Sequence, residues 1–434
     1  MAQGVVKRAF KYRFRPTDEQ AAQLSRTFGC VRKVYNLGLA ERARVWGDEQ
    51  RRLTYGDTSA LLTRWKRTEE YAYLREVSCV PLQQALRHLQ AAFTGFFAKR
   101  SKHPRFKSRK RSRASAEYTR SAFVYRDGRL SLAKMAEPLD IVWSRPLPAG
   151  AEPSTVTVSQ DGAGRWFVSL LCEDASVRAL PAVGTAVGID LGISSLLTLT
   201  HPVPGLTDAQ GKVPNPRHGE RDRDRLAKVQ RRLAKKAEGS KNRAKARRRV
   251  ARVHARIADR RRDFLHRLTT RLVRDNQTIV IEDLAVRNMS RNHSLARAVF
   301  DASWAELRAL LEYKCQWYGR VLVVVDRWHP SSKTCSACGS VKAHLALNER
   351  TFRCDDPVCG LVLDRDVNAA RNILAAGLAV TVCGDGGRPQ RNSPGGLRST
   401  KQKSQPVMAG IPGPAGPGAG QTANSWKAMV FSTG

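Results

Sequence analysis

The chain has 434 residues, enough for two to four domains, and its 41% hydrophobic content is sufficient for sizeable cores. Lysine and arginine outnumber aspartate and glutamate by 76 to 38, and the net charge of +38 is spread along the chain. This pattern favours nucleic acid as the partner. The alternatives are an anionic membrane surface as the partner, or a GC-rich genome that favours arginine. Because neither a signal-peptide core nor a run of ~20 apolar residues is present, we expect a soluble, cytoplasmic protein without a membrane partner.

The first 180 residues alternate between strand-like and helix-like patterns. Residues 5–15 have a period of two and predict a strand, after which Thr17 and Gln20 form the signature of a capping box. Apolar residues then recur at helical spacing to about residue 100. Short alternating runs over 121–175 predict an antiparallel β unit that the first strand can complete.

Two segments concentrate the positive charge. Residues 98–113 predict a basic loop around Phe106, and residues 217–275 predict a basic helical hairpin that breaks at Gly239. Each segment can be interpreted as solvated surface, but the hairpin is so one-sided in charge that internal ion pairs cannot neutralise it. Contact with phosphates is therefore favoured. Residues 384–434 are rich in Gly, Pro and Ser and predict a disordered tail.

Three acidic residues lie in settings that suit a metal-dependent nuclease. Asp190 ends an apolar strand before a glycine turn, Glu282 ends a second apolar strand, and Asp366 precedes a helix that it could also cap. Hydrolysis of a phosphodiester by two metal ions needs carboxylates that converge from rigid elements. Asp283 and Asp364 are the open alternatives to the second and third acids.

Four of the nine cysteines fall within one short window, whereas the others are scattered. The four are Cys335, Cys338, Cys354 and Cys359. Scattered thiols with one tight quartet are typical of a reducing compartment and a metal site. Four thiolates suit a closed, tetrahedral, structural Zn²⁺ site, and the alternative is a collapsed remnant of such a site.

Four motifs in the second half of the chain match one protein family. They are GIDLG (188–192), IVIEDL (279–284), PSSKTCSACG (330–339) and LDRDVNAARNI (363–373). In this order they resemble the RuvC and zinc-ribbon region of TnpB proteins, which are transposon-encoded, RNA-guided endonucleases related to miniature type V CRISPR effectors. The upstream runs FGCVRKVYN (28–36) and LTYGDTS (53–59) extend the resemblance over residues 5 to 380.

The resemblance implies an α/β RNase H-like (RuvC) domain with an inserted zinc ribbon. It also implies an N-terminal β-barrel (wedge) domain with an inserted α-helical recognition domain. The corresponding segments are 1–16 and 118–180 for the wedge, 17–117 for the helical domain, 181–329 and 363–383 for the nuclease, 330–362 for the ribbon and 384–434 for the tail.

The family pattern also implies roles for individual residues. It assigns the binding of two Mg²⁺ ions to Asp190, Glu282 and Asp366, and the binding of Zn²⁺ to the four cysteines. The second cysteine pair has four intervening residues where the family usually has two, so chelation requires Asp356 and Pro357 to bulge outward.

The implied function is cleavage of double-stranded DNA, guided by an RNA from the transposon end, next to a short target-adjacent motif. The residues placed to contact that motif are Tyr55, Thr58 and Gln83. The main alternative is an RNA-guided DNA-binding regulator without cleavage, and a transposase acting without RNA is a third hypothesis. Because such regulators usually lose an active-site acid and this chain retains all three, cleavage is favoured.

Overall fold

The computed structural model describes residues 6–346 and 348–382, so the predicted tail lies outside the described residues. The strands are β1 (Val6–Arg15), β2 (Ala114–Thr119), β3 (Phe123–Arg126), β4 (Arg129–Leu132), β5 (Asp140–Val142), β6 (Pro153–Gln160), β7 (Trp166–Asp174), β8 (Ala186–Leu191), β9 (Ser195–Leu199), β10 (Lys212–Pro214), β11 (Thr278–Glu282), β12 (Val321–Val325), β13 (Thr351–Arg353) and β14 (Val362–Asp364). The helices are α1 (Asp18–Glu49), α2 (Tyr55–Trp65), α3 (Cys79–Phe97), α4 (His218–Arg221), α5 (Arg223–Ala234), α6 (Lys241–Asp275), α7 (Val286–Met289), α8 (Ala296–Ala302), α9 (Trp304–Tyr318) and α10 (Arg365–Val382), with 3₁₀ turns at Glu69–Arg75 and Arg120–Ala122.

The N-terminal sheet is antiparallel, with the strand order β2-β6-β7-β1-β5. The period of two in β1 directs Phe10 and Tyr12 into the core, as the sequence pattern predicts. Backbone pairing among the described residues leaves this sheet open, whereas the family resemblance implies a closed barrel. The connection from β4 to β6 contains Pro138, Pro146 and Pro148. Because proline has no backbone N–H to donate, this connection contains one short paired strand, β5.

A helical insert separates β1 from β2. The predicted capping box is present, because the side-chain oxygens of Thr17 and Gln20 each accept a hydrogen bond from the other residue's backbone N–H at the start of α1. Helices α1 and α3 pack together through fully buried residues such as Leu82 and Leu86. Strand β2 begins at Ala114, so the sheet takes in residues that the sequence assigned to the end of the helical segment.

The second sheet has the order β10-β9-β8-β11-β12. Strands β10, β9 and β8 are antiparallel, whereas β11 and β12 run parallel to β8. On one face, Val187 and Ile189 of β8 and Ile279 and Ile281 of β11 join a core with α6 and α9. The opposite face of the same two strands lies against α10. The sheet is therefore covered on both sides where it pairs in parallel.

Glycines allow α10 to lie directly on the second sheet. A Cβ atom at Gly188 would lie 2.2 Å from the carbonyl oxygen of Ala370. One at Gly377 would lie 2.3 Å from Cγ1 of Val280. Because the backbones meet directly at Gly188, and the Val280 side chain fills the space at Gly377, α10 has one closely defined position on β8 and β11.

The basic hairpin consists of α5 and α6, with the predicted break between them. The Ser240 hydroxyl accepts a hydrogen bond from the backbone of Arg243 at 3.1 Å and caps α6. Burial along α6 is deepest in its second half, at Leu265 and Leu272, and extends back to Val253 and Ile257. No helix in the described part of the chain is both long enough and apolar enough to cross a membrane.

Candidate active site and candidate metal centre

Asp190 and Glu282 lie on the same face of the second sheet. Gly188 pairs with Val280 across the parallel strands β8 and β11, and each acid follows its strand's paired residue by two positions. Because side chains alternate along a strand, both acids point to the face that α10 covers. Both also lie at the carboxyl ends of their strands, where the packed core gives way to an open edge.

Asp366 reaches the same place from α10. It lies four residues, about one helical turn, before Ala370, which contacts Gly188. Burial, followed by repulsion from Asp366 and Glu282, raises the pKa of Asp190 to about 7. Burial also raises the pKa of Glu282, with a smaller contribution from Asp283. The structure thus brings the three predicted acids together as one cluster of like charges.

Asp283, the alternative to Glu282, is already paired with two arginines. Its Oδ1 accepts a hydrogen bond from Nη1 of Arg308 at 2.6 Å, and its Oδ2 is paired with Arg327. Burial opposes ionisation of this carboxyl, but the hydrogen bonds from Arg308 and Arg327 outweigh it and lower the pKa. Asp283 therefore contributes to the local structure.

Asp364, the alternative to Asp366, caps α10. Its Oδ1 accepts hydrogen bonds from the backbone N–H groups of Asp366 at 3.0 Å and Val367 at 3.2 Å. Its Oδ2 lies 2.7 Å from Nζ of Lys212. The expectation that Asp366 itself caps the helix is therefore wrong, because the helix begins at Arg365 and its cap is one residue earlier. This arrangement leaves the Asp366 carboxylate available for another ligand.

Two cations, Lys212 and Arg365, lie near the three acids of the cluster. Nζ of Lys212 lies 3.8 Å from Oδ2 of Asp366, and Nε of Arg365 lies 3.8 Å from Oδ1. Among the described residues, the cysteine quartet is the sole set of three or more side chains whose ligand atoms all lie within 4.8 Å of one another. Asp190, Glu282 and Asp366 do not form such a set.

The four predicted cysteines converge, and all four are free thiols. Sγ of Cys335 lies 3.6 Å from that of Cys359, and Sγ of Cys338 lies 3.5 Å from that of Cys354. A tetrahedral site with Zn–S bonds of ~2.3 Å has sulfur–sulfur edges of about 3.8 Å. Burial opposes ionisation of Cys335, but the backbone N–H groups nearby lower its pKa to about 7. The quartet therefore has the geometry and donor atoms of a metal site.

The extra residues of the second cysteine pair bulge outward, as chelation requires. The Asp356 carboxylate accepts a hydrogen bond from the backbone N–H of Val358 at 2.9 Å and stabilises the turn. Pro357 and Val358 are exposed, and Val358 is 95% exposed. The unusual spacing is thus absorbed by a loop on the solvent side.

Two buried asparagines of α10, which the sequence analysis missed, connect the ribbon to the acidic site. Asn368 Oδ1 accepts a hydrogen bond from the Ser336 N–H at 2.9 Å, and its Nδ2 donates to the Thr334 carbonyl at 2.7 Å. Nδ2 of Asn372 donates to the carbonyls of Ser331 at 2.8 Å and Thr334 at 2.6 Å. Asparagine is unfavourable inside a helix, so two asparagines four residues apart in a predicted helix are the sequence feature that could have indicated these hydrogen bonds.

The residues expected to contact a target-adjacent motif lie on α2 and α3, which pack together. The guanidinium of Arg87 lies 4.5 Å from the centre of the Tyr55 ring, and Gln83 is half-buried on the same helix as Arg87. Thr58 is fully buried, and its hydroxyl donates to the carbonyls of Thr54 and Tyr55. The expectation for Thr58 is corrected accordingly, because its hydroxyl is satisfied within α2 and presents no surface to DNA.

The two sheets, the helical insert and the cysteine cluster define a protein with the architecture of a compact type V CRISPR effector. A solved structure, the Cas12f1–sgRNA–target DNA complex, matches with a TM-score of 0.53 and 13% identity. The match covers 86% of this chain and 99% of that chain. At this identity the likeness shows a common fold.

Family models and similar relatives identify the protein family within this fold. Residues 168–293 match the model of OrfB proteins described as "Probable transposase", and residues 304–373 match "Cas12f1-like, TNB domain". Residues 1–51 match "Helix-turn-helix domain", although the described part of this segment, residues 6–51, contains one strand and one continuous helix.

Two similar relatives carry the same description, "Putative RNA-guided DNA endonuclease". One, from Streptomyces pristinaespiralis, is 67% identical over 94% of this chain and 98% of its own length. The other, InsQ of Escherichia coli K12, is 33% identical over 89% of this chain and 97% of its own length. The chain belongs to the TnpB family, as its four motifs indicate.

Proposed function

We propose that this protein is an RNA-guided DNA endonuclease that cleaves through Asp190, Glu282 and Asp366. The observation that carries the proposal is the cluster these acids form at the open edge of the second sheet, with the pKa of Asp190 raised by burial and by the neighbouring acids. A fold gains nothing in stability from burying repelling carboxylates, so such a cluster marks a functional site. The full-length similarity to relatives described as RNA-guided DNA endonucleases supports the same activity.

Divalent cations fit the acidic cluster. Carboxylate oxygens are the donors that Mg²⁺ prefers, and the three acids would hold two such ions. When bound, the ions would supply an activated water and stabilisation of the leaving oxygen. The chain's own residues fix the carboxylates in place: Asp364 anchors the first turn of α10 beside Asp366, and Lys212 in turn anchors Asp364.

The cysteine quartet would hold a structural Zn²⁺ ion. All four ligands come from the protein, so the site would be closed, with no position for a substrate. The hydrogen bonds from Asn368 to both neighbours of Cys335 connect this centre to the first turn of α10. The ion would therefore support the part of the chain that carries Asp366.

A guide RNA from the transposon end and double-stranded DNA are the proposed partners. The net charge of +38 suits a protein that grips nucleic-acid backbones while base pairing reads the sequence. The pocket of about 440 Å³ between α5 and α6 is lined by cations without a carboxylate among them. Tyr55 and Gln83 would contact the target-adjacent motif, with Thr58 supporting the turn that presents Tyr55.

The test is to purify the protein with its RNA and incubate the complex with a library of DNA targets in Mg²⁺. We expect cleavage beside one short motif, its loss in Asp190→Ala, and its retention in Asp224→Ala, which removes an acid that is 97% exposed. DNA that is bound but intact with the wild-type complex would contradict cleavage and establish the regulator instead. Cleavage that is independent of RNA would contradict guidance.

A further inference from the structure

A tryptophan beside the acidic site is almost entirely exposed. Trp328 is 84% exposed, which is unusual for the largest apolar side chain. It follows strand β12, in which Val325 pairs with Glu282 across the sheet. Trp328 is therefore three residues beyond the strand position nearest to a proposed catalytic acid.

The turn that carries Trp328 is fixed by hydrogen bonds. The Asp326 carboxylate accepts from the backbone N–H of Trp328 at 2.9 Å, and the Asp326 carbonyl accepts from His329 at 3.1 Å. The neighbouring Arg327 is paired with Asp283, and Asp283 with Arg308. The indole is thus presented on a rigid backbone, which lowers the entropy lost when a ligand stacks on it.

A groove that contains three arginines runs from Glu282 beside this turn. It has a volume of about 520 Å³, and its charged lining residues are Glu282, Glu312, Arg287, Arg308 and Arg327. Arg308 is paired with both Asp283 and Glu312, Arg327 is paired with Asp283, and Arg287 has no ion-pair partner among the described residues. Apolar side chains, including Trp304, line the same groove. Cations beside an aromatic surface are the combination that binds single-stranded nucleic acid.

We propose that Trp328 stacks on an unpaired base of the DNA strand being cleaved, while that strand's phosphates follow the arginines of the groove toward Glu282. The inference rests on the proposed function and adds a positioning residue to it. The base must be unpaired, because the face of a paired base is covered by its neighbours in the duplex. Any of the four bases would serve, since each has a π-face. Loss of one such stack weakens binding about 5- to 150-fold.

The first test locates the stacked base within the assembled complex. The full chain with Asp190→Ala is combined with guide RNA and target DNA that carries 2-aminopurine at successive positions of each DNA strand. We expect Trp328→Ala to raise the fluorescence at one or two adjacent positions, because the stacked base is released. Trp328→Phe should retain most of the quenching, and Trp46→Ala, which removes a half-exposed tryptophan from α1, should change nothing at those positions. Identical profiles for Trp328 and Trp328→Ala at every position would overturn the proposal.

The second test is independent of guide RNA and cleavage. The full chain is titrated with a short single-stranded DNA and with the matching duplex, at a salt concentration high enough to suppress nonspecific phosphate binding. We expect Trp328→Ala to weaken single-strand binding about 10-fold and to leave duplex binding unchanged. Equal loss for both forms, or no loss, would contradict stacking even if the wild-type protein cleaves. A single-strand effect in a protein that does not cleave would retain the stacking and reject the nuclease.

Discussion

The acidic cluster and the cysteine cluster both contact the first turns of α10, yet different elements of the chain keep their side chains in place. The acids are attached to β8, β11 and α10, where the sheet is packed on both faces and the helix contacts the strand backbone at Gly188. The cysteines lie on turns around β13 and β14, which have three residues each. In the first region the fold determines the positions of the ligands, whereas the second has little core of its own beyond Phe352.

The difference predicts which region needs a metal ion to keep its structure. The packed sheet holds like charges together against their repulsion, and burial together with that repulsion raises the pKa of Asp190. The ribbon has four thiols whose mutual positions suit one cation and few buried contacts to keep them there. We therefore expect the acidic site to keep its structure without metal and the ribbon to lose it.

The largest expected effect on cleavage comes from substituting Asp190. Asp190→Asn should reduce cleavage by about 1000-fold, because a ligand that supplies several kcal/mol of transition-state stabilisation is lost. Without divalent ions the same change should stabilise the protein, since it removes a buried repelling charge. A gain of 1 kcal/mol would raise the Tm by about 1 °C in a chain of 434 residues, because the entropy of unfolding is ~2.1 cal/mol/K per residue. The measurements are single-turnover cleavage in Mg²⁺ and thermal unfolding in chelator.

The pH dependence of that stabilisation has a definite sign. The folded pKa of about 7 is higher than the value of ~3.9 in an unfolded chain, so ionised Asp190 destabilises the fold at neutral pH. This penalty is absent below about pH 4, grows as the pH rises, and is complete above pH 7. The benefit of Asp190→Asn should follow the same course. A Tm gain that is equal at pH 4 and pH 8 would show that the repulsion is not its source.

The second effect tests the close contact beneath the acids. Gly188→Ala places a methyl group 2.2 Å from the Ala370 carbonyl, so α10 must move away from β8 and carry Asp366 with it. Overpacking of this kind destabilises by about 1–3 kcal/mol, and we expect cleavage to fall about 100-fold. The control is Gly47→Ala, where the new methyl meets no atom within 4 Å. Wild-type cleavage by Gly188→Ala would show that the helix position does not control the acids.

The third effect tests the connection between the two regions. Asn368→Ala leaves the Ser336 N–H without its partner and removes one of the two asparagine hydrogen bonds to the Thr334 carbonyl, which destabilises the protein by about 1–3 kcal/mol. We expect faster release of zinc to a chelator and a higher Mg²⁺ concentration for half-maximal cleavage. Asn348→Ala, at an exposed ribbon position, should change neither quantity. A change in zinc release without a change in Mg²⁺ dependence would mean that the regions are not coupled.

Most of the acidic site can be predicted from the sequence, because the periodicity of a strand depends only on residues close together in the chain. The alternation along β8 and β11, together with apolar runs that end in an acid, is sufficient to predict Asp190 and Glu282 on one face. No local pattern distinguishes Asp366 from Asp364, since they lie two residues apart at the start of the same helix, and the cap is recognised only from backbone geometry. The long-range hydrogen bonds of Asn368 and the burial of Thr58 are equally invisible, because each depends on elements distant in the sequence or on helix packing.

The smallest expected effect concerns the bulge between Cys354 and Cys359. Deleting Asp356 and Pro357 restores the common spacing of two residues and removes atoms that face the solvent, so the thiols can keep their positions. We expect one zinc ion per chain, unfolding free energy within about 0.5 kcal/mol of wild type and nearly unchanged cleavage. Cys354→Ser is the control that should lose zinc. Because a single methyl group at Gly188 is expected to be far more damaging than this two-residue deletion, the pair of variants compares a site held by packing with one held by its ligands. Loss of zinc on deletion would instead show that the Asp356 turn, with its 2.9 Å bond to Val358, forms part of the metal site.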